Sequence, residues 1–197
     1  MSARPEPAGP GQGQAADWAI LLRGVNVGGA NPLPMAAWRR NLAGLGFRDP
    51  QTLIQSGNAV LGAKGPAQAI AARIAAGLAE GFGIETPVFV LPEAALAAAL
   101  DHPFGADADP ARIQAIFLAE PAPDPDLTRA KALLAPSEAL AQRPGLLLLH
   151  APQGVGRSRL AAALPRLLHG PVTARNLRTL AQLLVLLRSR IREDGAG

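Results

Sequence analysis

Residues 18–61, WAILLRGVNVGGANPLPMAAWRRNLAGLGFRDPQTLIQSGNAVL, decide the fold. Residues 19–22 form a continuous apolar run after Trp18, the pattern of a strand covered on both faces in the middle of a sheet. Arg23, Gly24 and Asn26 follow at its end. Gly28-Gly29-Ala30-Asn31-Pro32 is turn chemistry, with two glycines able to take positive φ. Pro34 suits a first helical position, where a missing N–H costs nothing. Met35, Trp38, Leu42 and Leu45, spaced 3, 4 and 3 apart, make one stripe of a helix that Gly44 and Gly46 end. Residues 52–54 read as the next strand, Gln55-Ser56-Gly57-Asn58 as a turn, and residues 59–61 as a return strand in an antiparallel hairpin.

The same reading extends outward. Ile70, Ile74, Leu78 and Phe82 recur every four residues and predict a helix over 66–80, stopped by Gly81 and Gly83. Residues 86–91 (TPVFVL) predict a strand, which completes the order βαββαβ of a ferredoxin-like unit. An Ala-rich helix over 92–100 and a loop over 101–110 lead to a second half with the same order. There we expect a strand over 112–119, a loop over 121–125, a helix over 126–134, and strands over 138–142 and 146–150. A helix over 158–168 and a short strand over 171–173 follow. Leu177, Leu180, Leu184, Leu187 and Ile191 then mark a last helix opening at Arg175 or Asn176. The fold class is α+β: two ferredoxin-like subdomains packed together, with a C-terminal helix. The boundaries are a tail over 1–16, a first subdomain over 17–100, a linker over 101–110, a second subdomain over 111–190, and a tail over 191–197.

Composition narrows the function classes. With 49% hydrophobic residues the 197-residue chain can bury a core, and with 4% aromatics and no Tyr that core must be built from Ala, Leu, Val and Ile. No Cys is present, so disulfides and thiolate metal sites are excluded. Residues 1–16 lack the apolar segment of a signal peptide. No apolar run approaches the roughly 18 residues of a membrane span. These features lead us to expect a cytoplasmic protein without a membrane partner. The net charge is +4, unevenly spread: residues 83–140 hold nine acidic residues against three basic, and residues 150–197 hold eight Arg. Arg outnumbers Lys 17 to 2, which favours two-pronged contacts to phosphate or carboxylate if these side chains are functional.

Four segments resemble a known family. LLRGVNVGG with the following PMAAWR, IQSGN, APQGVGRSRL and VTARNLRT are similar to segments of the DUF1697 family, small bacterial proteins of unknown function. The resemblance covers residues from about 18 to about 187. It implies an α+β fold with two ferredoxin-like halves and no enzyme class. The sequence departs at Leu177 and Arg178, where the family usually carries Trp and Asn.

Candidate ligand-binding residues gather at the expected strand ends: Arg23, Asn26, Ser56, Asn58, Arg157, Ser158, Thr173, Arg175 and Asn176. Gly154-Val155-Gly156-Arg157-Ser158 follows a strand and opens a helix, so its N–H groups could face an anion, or Ser158 could simply cap the helix. Ala151 and Arg157 stand where a P-loop needs Gly and Lys. Thr173 and Asn176 are capping residues by type; the polarity of Arg23, Asn26, Ser56 and Asn58 also suits turns. If the arginines among them converge, their mutual repulsion demands a counter-anion. Catalytic constellations are thin. His102, His150 and His169 read as surface or loop residues, Asp107 and Asp109 as a weak magnesium pair, and no cofactor motif or metal site is expected. We therefore expect a phosphate- or carboxylate-bearing ligand, a nucleotide or small metabolite, in an Arg-lined pocket. The alternatives are an enzyme acting on such a molecule and a nucleic-acid-binding module. The last is disfavoured because Phe89 and Phe117, the strand aromatics that could stack bases, are expected in the core.

Overall fold

The computed structural model describes residues 15–119, 127–168 and 170–194, with the backbone alone for 191–194. Most of the expected 1–16 tail, the loop over 121–125 and residues 195–197 lie outside this set.

The first half contains β1 (Ala16–Leu22), α1 (Met35–Gly44), β2 (Arg48–Leu53), β3 (Asn58–Ala63), α2 (Ala67–Phe82), β4 (Val88–Leu91) and α3 (Glu93–Leu100). The second contains β5 (Ile113–Leu118), α4 (Leu127–Lys131), β6 (Ala139–Arg143), β7 (Leu146–His150), α5 (Arg159–Leu167), β8 (Val172–Asn176) and α6 (Leu177–Asp194). Each half forms a four-stranded antiparallel sheet. The orders are β2-β3-β1-β4 and β6-β7-β5-β8, so the second topology repeats the first strand for strand. The chain is α+β, built from two packed ferredoxin-like subdomains.

Alternation along the strands sorts residues into three cores. Trp18, Ile20 and Leu22 of β1 face α1 and α2, while Ala19 and Leu21 face the other way. On β7, Leu147 and Leu149 face α4 and α5, while Leu146 and Leu148 face inward. The inner faces of both sheets share one core with Leu96 and Ala99 of α3 and with Leu177, Leu180, Leu183, Leu184 and Leu187 of α6. Both faces of each central strand are covered, which is why 19–22 and 146–149 read as unbroken apolar runs. Phe89 and Phe117 are buried in this shared core. Among the described residues, no helix is long and apolar enough to cross a membrane.

One expectation fails at the last strand. Arg175 and Asn176 do not open the final helix; they extend β8, where they pair with Ala115 and Gln114 of β5. The ladder with β5 outcompetes helical propensity there. Helix α6 begins at Leu177, with the Asn176 Oδ1 accepting from the Thr179 N–H at 2.8 Å.

Helix α6 is fastened to the first sheet by a buried ion pair that the sequence pattern did not reveal. Arg190 is 3% exposed. Its Nε lies 3.2 Å from Asp17 Oδ1, its Nη1 donates to Asp49, and its Nη2 donates to the Arg48 carbonyl at 3.1 Å. Asp17 has a second partner, Arg48 Nη2 at 3.3 Å. Removing one member of a buried pair costs about 3–5 kcal/mol when the other is left alone. Because Arg48 remains, we expect Arg190→Ala to cost less, about 2 kcal/mol, read from the urea midpoint. A cost near zero would mean that the apolar stripe alone seats α6.

Candidate functional site

The site is assembled where the C-terminal end of β1 meets β8. At the end of β1, Asn26 takes a left-handed conformation (φ 55°) and fastens the loop that follows. Its Oδ1 accepts from the Leu33 N–H at 2.8 Å, and its Nδ2 donates to the carbonyls of Leu33 (2.9 Å) and Gln55 (2.7 Å). The β1–α1 loop is thereby fixed to the β2–β3 turn. Within that turn Gly57 (φ 72°) is required: a Cβ would stand 2.6 Å from Val25 Cγ2. Ile54 also has positive φ (52°), a strained conformation for a β-branched residue, and is half exposed.

Arg175 spans the joint between the two sheets. Its Nε donates to Asn58 Oδ1 (2.6 Å) and its Nη1 to Thr173 Oγ1 (3.1 Å) and the Ala174 carbonyl (2.7 Å). Its Nη2 donates to the carbonyls of Leu22 (2.6 Å) and Ser56 (3.1 Å). The five N–H groups of a guanidinium thus have five acceptors, all of them neutral. Burial lowers the Arg175 pKa to about 10, which leaves it cationic at neutral pH. Among the described residues no carboxylate pairs with it. Thr173, itself buried, donates to the Leu22 carbonyl at 3.3 Å, and the Asn58 Nδ2 donates to Ser56 Oγ at 2.9 Å.

Of the nine sequence candidates, Ser56, Asn58, Thr173 and Arg175 therefore meet in one hydrogen-bonded group. Asn26 joins it through Gln55, next to Ser56 in the turn. The Arg23 side chain is exposed and makes no hydrogen bond or ion pair among the described residues; its carbonyl accepts from Thr86 Oγ1 at 2.6 Å. Asn176 is occupied as a cap. Arg157 and Ser158 do not connect to the group. Gly154, Arg157 and Ser158 spend their N–H groups on the carbonyls of Ala151, Gly154 and Val155, and Ser158 Oγ caps α5 by accepting from Ala161 at 3.1 Å. Arg157 is exposed.

The remaining candidates have structural settings. Asp109 accepts from the Ala111 N–H at 2.9 Å and lies 3.6 Å from Arg178. Among the described residues no group of three or more His, Asp or Glu side chains could hold a metal ion. His102 and His150 are half-buried and flank Phe104, with ring centroids 5.8 and 5.4 Å from it. His169 lies outside the described residues. Leu177 is core, and Arg178 is an exposed ion-pair partner.

The sequence matches the family described as "Protein of unknown function (DUF1697)" over residues 16–144, from β1 to the end of β6. The chain belongs to the DUF1697 family. A solved structure described as conserved bacterial protein SP0830 from Streptococcus pneumoniae superposes with a TM-score of 0.66 at 21% identity. The match covers 88% of this chain and 99% of that one, and at that identity it speaks to the fold. No curated protein matches. The family match ends before β8; Arg175 stood out as a polar residue of the family-like segment VTARNLRT, and Arg190 carried no sequence signal.

We expect Arg175→Ala to cost about 2–4 kcal/mol, because buried carbonyls of the joint lose their donors. Arg175→Lys should recover little of this, since an ammonium offers three donors from one point in place of a planar fork. Equilibrium urea denaturation of the three proteins reads both effects. Wild-type stability in Arg175→Lys would mean that charge matters at the joint and the fork does not.

Proposed function

We propose that the protein binds a small phosphate- or carboxylate-bearing molecule at the strand-end surface formed by the β1–α1 loop, the β2–β3 turn and β8. The observation that carries this reading is the Arg175 guanidinium, partly desolvated and surrounded only by neutral acceptors. A cation so placed projects uncompensated positive potential onto the surface above it, where an anion is favoured. Its donors are spent within the protein, so its role is to hold the surface and supply field. The ligand contact falls to Arg23, which follows Leu22 directly and whose guanidinium has no partner among the described residues. The strained backbone at Asn26 and Ile54 supports the reading, because such strain persists where the surroundings hold a functional geometry.

Binding is preferred to catalysis on one observation. Among the described residues, no Asp, Glu or His side chain forms a hydrogen bond or ion pair with Arg23, Ser56, Asn58 or Arg175, so the group holds no general acid or base. A sheet-face RNA site is not favoured, since Phe89 and Phe117 are buried.

The test is a thermal-shift series with pyrophosphate, nucleotides and dicarboxylates against NaCl of equal ionic strength. A ligand at a hundredfold its Kd adds about 2.7 kcal/mol, which for a chain of this size raises Tm by roughly 5–10 °C. We expect at least one anion to give this shift, and Arg23→Ala to abolish it while leaving the unliganded Tm within about 1 °C of wild type. No shift with any compound, or an equal shift in Arg23→Ala, would sink the proposal.

A further inference from the structure

From Ala139 to Arg192 the chain contains nine Arg and no Asp or Glu. The structure sorts these arginines. Arg143 pairs with Asp101, Arg178 with Asp109, Arg188 with Glu93, and Arg190 with Asp17 and Asp49. Arg175 is enclosed at the joint, and the Arg192 side chain is not described. Three remain: Arg157, Arg159 and Arg166 are exposed and make no side-chain hydrogen bond or ion pair among the described residues. They lie together, on the short turn before α5 and on α5 itself.

Their arrangement is specific. Arg159 and Arg166 are seven residues apart, two helical turns, so they share one stripe with a rise of roughly 10 Å. Arg157 sits on the short turn that precedes the helix, two residues before Arg159. The opposite side of α5 is committed to the core through Leu160 and Leu164. Helix α4 packs in the same outer layer and adds exposed Arg129 and Lys131. The described acid in this layer, Glu138, is taken up by the Ala135 N–H at 3.0 Å. Glu120, Asp124 and Asp126 precede α4 and lie outside the described residues.

We propose that this face docks the sugar–phosphate backbone of double-stranded nucleic acid, without base readout. The charge is linear and repeated, which suits a phosphate backbone better than a single small anion. Residues 127–168 contain no Phe, Trp or Tyr, so bases have no aromatic platform to stack on, and a duplex that keeps its bases inside is the better fit. A membrane surface fits less well, because Leu160 and Leu164 of α5 are buried and, among the described residues there, only Val155 on the preceding turn is an exposed large hydrophobic side chain. The inference uses none of the residues of the strand-end surface and stands apart from the ligand proposed there.

The experiment is fluorescence anisotropy with a labelled 20-base-pair DNA duplex of random sequence. Three phosphate contacts predict a salt slope of about −2.7, so raising salt from 50 to 200 mM weakens binding about 40-fold. The combined variant Arg157→Ala, Arg159→Ala and Arg166→Ala should bind at least about tenfold more weakly at 50 mM salt, with a clearly shallower salt dependence than wild type. Arg39→Ala with Arg40→Ala on α1, also exposed but covering the other sheet, should bind like wild type. The proposal is overturned if wild type does not bind the duplex at 50 mM salt. It is also overturned if the triple variant binds within twofold of wild type, or if the α1 variant loses as much. Binding to phosphatidylserine vesicles but not to the duplex would overturn it as well.

Discussion

Each sheet has an inner face that cannot be left to water. Ala19, Leu21, Val60 and Phe89 on the first sheet and Ile113, Ala115, Phe117, Leu146 and Leu148 on the second all point into one shared core. Helices α3 and α6 fill the rest of it. Burying a large aliphatic or aromatic side chain is worth about 1.5–3 kcal/mol, so separating the halves would forfeit a large fraction of the stability of a domain this size. The two ferredoxin-like units are therefore one folding object, and the polar joint at Arg175 is possible only because this apolar contact already holds the sheets together.

That joint inverts the usual logic of a buried charge. Most enclosed guanidiniums are matched by a carboxylate, as Arg190 is by Asp17. Arg175 is matched by geometry alone, through carbonyls and side-chain oxygens drawn from β1, the β2–β3 turn, β3 and β8. Carbonyls at strand ends have no further ladder partner, so they are available to such a fork. The arrangement satisfies hydrogen bonding without a carboxylate partner among the described residues, and the proposed anion-binding surface rests on these two properties together.

Much of this was legible from residue order. Apolar runs, alternation, helical stripes and turn residues located the strands and helices to within a few residues, because apolar burial sets most of those patterns directly. The duplication came from the order of elements, with no repeat in the residues themselves. What pattern could not carry was pairing across long separations. Asn58 and Arg175 both stood out as polar residues at strand ends, yet nothing local says that they touch. Arg157 stood out for the same reason and turned out to belong elsewhere. Arg190 was invisible because an Arg on the last turns of an apolar helix ordinarily reads as a solvated end. At Arg175 and Asn176 the local signal favoured a helix opening, and pairing with β5 keeps those residues extended.

Helix α6 has one more consequence, for the order in which the molecule can be completed. Asp17, on the first strand, meets Arg190, 173 positions later. Sheet pairing within the first half needs only nearby segments, so β1 to β4 can assemble early in synthesis. Helix α3 follows at once and covers part of that sheet's inner face, but the remainder waits for the second sheet and for α6. The shared core is therefore closed only when the last helix of the described chain is in place.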